Sequence, residues 1–400
     1  RCGNQAPPFA DAAWAGCPSH RPARHRLPLR PSLPPAHSPV MGSPSSILRA
    51  ATLGAAIGDA LGGPHEFQPV GSVPEGPRGR WISALDRYDI APSLHGVWRE
   101  HAPPGTGTDD TRYHALFLDL CAGLRRPPVA AELAARLLDA HREPRRFYPT
   151  AVAGLARDHY AWLEPACTAL LGQPSAIMPT LTREERLARG IGLNFAVFLG
   201  LLVHPTIGLF FPGEPERAYR AAWELGFLDL AHAREANGLF AAALSLCPGE
   251  PGDVLRRALA INPFQLGMEF EPPYYVHRLA PIVEGAPVGA PDHELARWLS
   301  AELRHTHVFD PLRALAVAFV SAIQCEGDAS RALRVAVNFH DGHRFHDIDC
   351  HGSITGALVG ALFGADALDA RDVALVLEAN RDVHGIDLGD VAARAAVAVQ

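Results

Sequence analysis

Apolar positions recur at three- and four-residue intervals over most of this chain, the spacing of helices that bury one face. Ile47, Leu48, Ala51, Leu53 and Ile57 mark the first helix. Ser45 or Ser46 can cap it, and it runs to about Leu61, where Gly58-Asp59-Ala60-Leu61-Gly62-Gly63 closes it and Glu66 follows. Tyr113, Leu116, Phe117, Leu120 and Leu124 predict a second helix, capped by Thr108 and carrying Asp109 and Asp110 in its first turn. Similar patterns occupy 129–141, 182–198, 214–228, 231–246 and 293–305. Asp310-Pro311 opens a long apolar helix to Cys325, stopped by Gly327, and Asp328 caps another to Val337. Alternating strand-like runs are scarce. The Pro- and Gly-rich stretch 71–107 reads as a long loop with little regular structure. The expectation is an all-α fold, a single globular multi-helix domain from Met41 to the C-terminus, with one core and no internal repeat.

The stretch 345–364, FHDIDCHGSITGALVGALFG, departs from the ordinary pattern. Gly352, Gly356, Gly360 and Gly364 recur every fourth residue, on one helix face. Each interior glycine costs about 1 kcal/mol relative to alanine, so the stripe predicts a backbone that must approach another helix closely. Asp347 and Asp349 precede it at a spacing of two. That spacing points side chains apart on a helix and the same way on an extended segment, which places the pair in the loop before the helix.

Composition narrows the field. The chain has 400 residues, 48% hydrophobic and 20% charged, and a net charge of −7, which gives no reason to expect a nucleic-acid or acidic-membrane partner. All 36 basic residues are arginine, so a catalytic lysine is excluded. Seven cysteines without a CxxC argue against a disulfide framework and for a reducing, cytoplasmic setting. No apolar run reaches bilayer length; 190–211 comes nearest and is interrupted by Asn194, His204 and Pro205. Residues 1–40, rich in Pro, Arg, His and Ser, read as a disordered or non-native extension. The expectation is that translation starts at Met41.

Thr108-Asp109-Asp110 is a hard-oxygen cluster at a helix start, Asp347 and Asp349 form a second, and Glu66 is a fifth acid. Singly, each acid reads as a cap or a solvated loop residue. Several acids in one buried site would repel one another unless cations neutralise them, and oxygen ligands favour Mg²⁺, Ca²⁺ or Mn²⁺ over zinc.

Gly58-Asp59-Ala60-Leu61-Gly62 with Glu66, Thr108-Asp109-Asp110-Thr111, and Asp347-x-Asp349 before GSITGALVGALFG together resemble the ADP-ribosylglycohydrolase family, in the family's order and across residues 54–364. The resemblance implies an all-α fold holding two Mg²⁺ ions, with Mn²⁺ an option, on Thr108, Asp109, Asp110, Asp347 and Asp349. It implies a hydrolase that cleaves the glycosidic bond at C1'' of ADP-ribose on a protein side chain or a small ADP-ribosyl conjugate, with Glu66 or Asp110 moving the proton. Two features depart from the family pattern. Cys350 stands where members commonly carry Thr or Ser, and a thiol suits a hard cation poorly. The segment around Asp347 is His-rich (His340, His343, His346, His351). Two other readings follow: a non-catalytic ADP-ribose-binding relative, or a metal phosphohydrolase of the HD type using His346-Asp347.

Overall fold

The computed structural model describes residues 42–89, 101–190, 196–267 and 273–399. The N-terminal extension 1–40 lies outside the described residues. Among those described are 17 α-helices, several short 3₁₀ turns and two minimal antiparallel hairpins. No helix among them is long and apolar enough to cross a membrane.

Two helices form the centre. Ile348–Phe363 is apolar almost all round, and every residue from Ile348 to Leu362 is buried, as expected for a helix enclosed on all sides. Its main partner is the first helix, Pro44–Gly62, capped by Ser43 rather than by Ser45 or Ser46. Ser43 takes that role because Pro44 supplies the first helical position with no N–H to satisfy. The two helices meet backbone to backbone. A Cβ on Gly356 would lie 1.9 Å from the Gly54 carbonyl oxygen, and one on Gly352 would lie 2.2 Å from that of Gly58. Gly360 faces Ala50 in the same way. Gly364 does not belong to this contact. It ends the helix at φ 81°, with open space where a Cβ would stand.

Pro311–Gln324, buried from Pro311 to Ala322, and Ala329–Val337 pack on the remaining sides of the glycine helix. The patterns at 129–141, 214–228, 231–246 and 293–305 correspond to helices Ala130–Arg142, Pro215–Leu225, His232–Ser245 and Asp292–Glu302. The pattern at 182–198 does not hold as one helix. Arg183–Arg189 stops at Gly190, whose φ of 57° breaks the helical course; 191–195 lie outside the described residues, and a short helix, Leu199–Val203, follows. Among its described residues, the stretch 71–107 carries the end of a 3₁₀ turn, Val70–Ser72, and the hairpins Glu75–Gly76 with Gly79–Arg80 and Tyr88–Asp89 with His101–Ala102; its 90–100 portion lies outside the described residues. The two-residue spacing misplaced one acid. Asp347 is the N-cap of the glycine helix, while Asp349 lies in its first turn rather than in the preceding loop. Because Asp347 is outside the helical course (ψ 62°), the rule that separates i and i+2 on a helix does not apply to the pair.

Candidate metal centre

Three local devices gather the acids. The first is the glycine contact itself. It brings the end of the first helix so close to the start of the other that a Cβ on Gly62 would lie 2.3 Å from the Asp349 amide nitrogen. The second is a short antiparallel pairing between 67–70 and 343–346. Phe67 N–H donates to the His346 carbonyl, Phe345 N–H to that of Gln68, and Val70 N–H to that of His343. The pairing sets Glu66, one residue before it, beside Asp347, one residue after it.

The third device is Asp59. Its Oδ2 accepts from the backbone N–H of Thr108 (2.9 Å) and of Thr111 (3.1 Å) and from the Thr111 hydroxyl. Asp59 is fully buried and so pins the Thr-Asp-Asp-Thr turn to the first helix. The loop entering this turn is held from the far side. Asn380 donates to the Gly105 carbonyl (3.0 Å) and accepts from the Gly107 amide (3.1 Å), while His384 Nε2 donates to the Gly107 carbonyl (2.8 Å). Gly105, at φ 94°, lets the loop pass against the backbone of Leu375.

The result is two adjoining groups of ligand atoms. One atom each from Glu66, Asp347 and Asp349 lie within 4.8 Å of one another, and so do one each from Asp110, Asp349 and Cys350. Asp349 is common to both. Asp110, Asp347 and Asp349 are buried, and Glu66 is half-buried. Asp109 lines the same cleft, with an oxygen 3.7 Å from His159 Nδ1. Thr108 caps its helix by accepting from the Asp110 amide. Arg313 donates to His346 Nδ1 and to the carbonyls of Leu303 and Thr306. His351 is buried between the rings of Phe198 and Phe339. Neither ligand group contains a histidine, so the geometry gives the HD-type reading no imidazole ligand among the described residues.

The electrostatics suit a cation. Burial, then the neighbouring carboxylates, pushes the pKa of Glu66, Asp110 and Asp349 well above the carboxylate range. Burial raises Asp347 to about 7 and Asp59 to about 6, the latter held down by its hydrogen bonds from Thr111 and Thr108. Buried oxygens of Asp59, Asp110 and Asp349 have no hydrogen-bond partner. An orphaned buried carboxylate oxygen costs several kcal/mol unless something cationic meets it, so the donor set fits a divalent ion.

Above the acids stands a wall the sequence did not announce. Phe67, Tyr113, Trp162, Phe198 and Phe309 line a cavity of about 160 Å³ together with Leu163, Val197, Leu199, Leu202 and the acids. Phe309 meets Phe67 and Phe198 edge to face. These residues come from separate helices and loops with no shared motif. Phe67 beside Glu66, and Phe309 just before the Asp310-Pro311 cap, were the only local hints.

The fold is helical and encloses, at the floor of an aromatic cleft, a cluster of carboxylates that could hold a metal ion. The family model for ADP-ribosylglycohydrolase matches residues 43–398, and the chain belongs to that family. The family acts hydrolytically on ADP-ribose conjugates. A search of curated protein sequences returns no match.

Proposed function

We propose that the protein is a magnesium-dependent hydrolase that removes ADP-ribose from a modified side chain, or from a small ADP-ribosyl conjugate, by cleaving the glycosidic bond at C1''. The observation that carries this reading is the convergence of Glu66, Asp110, Asp347 and Asp349 from three distant stretches, with buried oxygens of Asp110 and Asp349 left unpartnered. Thr108, Asp109, Asp110, Asp347 and Asp349 would hold two Mg²⁺ ions, with Mn²⁺ a substitute. Bound there, the ions supply charge neutralisation, a grip on ribose hydroxyls and an acidified water.

The chain's own residues supply the rest. Glu66 is half-buried at the cleft and adjoins Asp347, a position from which a carboxyl can pass a proton to or from the reacting oxygen. Asp110, deeper, is the alternative. The aromatic wall excludes water from a cation-like sugar and offers ring faces to the substrate. A reducing, cytoplasmic setting is part of the same proposal, on the strength of seven cysteines without a CxxC.

The test is release of ADP-ribose from ADP-ribosyl-arginine and ADP-ribosyl-serine with and without Mg²⁺. We expect metal-dependent release, lowered about 10²–10⁴-fold by Glu66→Gln at saturating Mg²⁺, if Glu66 is the acid–base group. Binding of ADP-ribose without any turnover would favour the non-catalytic relative instead.

A further inference from the structure

Cys350 is more than a spare core cysteine. It is the third residue of the glycine helix, 7% exposed, and lines the cleft rather than the interior. Its Sγ lies within 4.8 Å of a carboxylate oxygen of Asp110 and of Asp349, which themselves lie that close. Asp110 and Asp349 are 1% and 2% exposed, and each carries an oxygen with no hydrogen-bond partner. Two buried carboxylates, each with one unpartnered oxygen, and a thiol that also hydrogen-bonds to Asp347 therefore meet at the three corners of one small triangle.

The chemistry of that donor set discriminates between metals. A four-coordinate ion with a sulfur at about 2.3 Å and oxygens at about 2.0–2.2 Å separates its ligand atoms by about 3.5 Å. The present atoms, all within 4.8 Å of one another, lie close enough to share one such ion. Octahedral Mg²⁺ at about 2.1 Å would need oxygen edges near 2.9 Å and gains little from sulfur. Thiolate is a preferred ligand of Zn²⁺ and of softer divalent ions.

We infer that Asp110, Asp349 and Cys350 form a thiophilic divalent-cation site, so that Zn²⁺ or Cd²⁺ binds this half of the centre in preference to Mg²⁺ and displaces it. In this exchange the S–H bond of Cys350 breaks, an S–metal bond forms, the proton passes to solvent, and no oxidant is required. The inference rests on reading the cleft as a cation site, but it does not depend on ADP-ribose being the substrate.

The experiment is titration of the full chain with Cd²⁺, following the ultraviolet thiolate-to-metal charge-transfer band, and then competition with Mg²⁺ and Zn²⁺. The wild type should show one saturable band that Zn²⁺ abolishes and that Mg²⁺ displaces only at a concentration at least about a hundredfold higher. Cys350→Ser should lose the band and bind Cd²⁺ at least about tenfold more weakly. Cys350→Thr serves as a second variant should the first fail to fold, with circular dichroism as the check. A band that survives in the folded variants would place the metal on another thiol, such as Cys121, Cys167, Cys247 or Cys325, and overturn the inference. So would equal affinity for Mg²⁺ and Cd²⁺ in the wild type. The readout is independent of turnover. A band without hydrolysis of ADP-ribose conjugates removes the proposed function alone, whereas Mg²⁺-dependent hydrolysis without a band removes this inference alone.

Discussion

At the scale of single residues, the polar groups away from the acids keep the centre in shape. Asn380 is fully buried and spends its amide on the Gly105–Gly107 loop. Asn380→Ala leaves two buried backbone groups unpaired, at a cost of about 1–3 kcal/mol each. We expect a lower melting temperature and weaker Mg²⁺ binding although no ligand is touched; unaltered metal affinity in calorimetry would show that the loop holds its place alone.

Three histidines away from the carboxylates are buried and neutral. Burial drives His114 and His384 down to about 3 and His204 to about 4, with Arg112 adding to the effect at His384. A histidine whose folded pKa lies below its unfolded value contributes stability that is complete above pH ~6.5 and is lost as the pH falls toward the folded pKa. At pH 5 the loss is about 2 kcal/mol for each such group. The raised carboxyls of Glu66, Asp110 and Asp349 titrate with the opposite sign, so the histidine contribution is read as a difference between wild type and variant. His384→Gln, which keeps a donor for the Gly107 carbonyl, should lose less stability than the wild type between pH 7 and pH 5 in urea titrations, and an identical pH dependence would mean the ring is not held neutral.

At the scale of elements, the glycine contact between Pro44–Gly62 and Ile348–Phe363 is the joint on which the site turns. Gly356→Ala puts a methyl 1.9 Å from a backbone oxygen that belongs to the partner helix. Neither side can yield by rotating a side chain, so the helices must separate. Overpacking of this kind costs typically about 1–3 kcal/mol, and more where backbone meets backbone. The same separation moves Asp59 away from Asp349. Loss of stability and of metal affinity should therefore appear together in Gly356→Ala. In Gly364→Ala, where a Cβ meets open space but φ is 81°, a stability loss should come alone.

At the scale of the whole molecule, folding concentrates carboxylates whose repulsion a bound cation relieves. Ligand binding to the folded state adds RT ln(1 + [L]/Kd), about 2.7 kcal/mol at a hundredfold excess over Kd. Mg²⁺ should raise the melting temperature and EDTA should lower it. Asp349→Asn carries a distinctive sign. It should abolish the Mg²⁺-dependent rise, yet make the metal-free protein more stable, because the burial and the neighbouring charge that raise the Asp349 pKa no longer act on a carboxylate. Scanning calorimetry in EDTA decides the point, and a less stable metal-free variant would mean that Asp349 serves the fold by hydrogen bonding.

Much of this was legible along the chain. The helical class, the cap at Thr108, the Asp310-Pro311 start and the close approach of a glycine stripe all follow from local periodicity and backbone sterics, which act over one or two turns. The acids could be listed for the same reason. Other elements stayed hidden. Ala370–His384 was not singled out, although Asp369 at its cap and Gly385 at φ 70° beyond its end are its start and stop signals. The aromatic wall has no local signature at all.

Only the tertiary structure decided which residues meet. Gly54 and Gly58 chose the partner of the glycine stripe, and the pairing of 67–70 with 343–346 chose the neighbour of Asp347. Cys350 sits beside Asp110 because two helix starts, far apart in sequence, are held face to face. Spacing of three, four or two residues specifies local conformation. Contact across hundreds of residues depends on which apolar and glycine faces fit, and that is settled only when the faces pack.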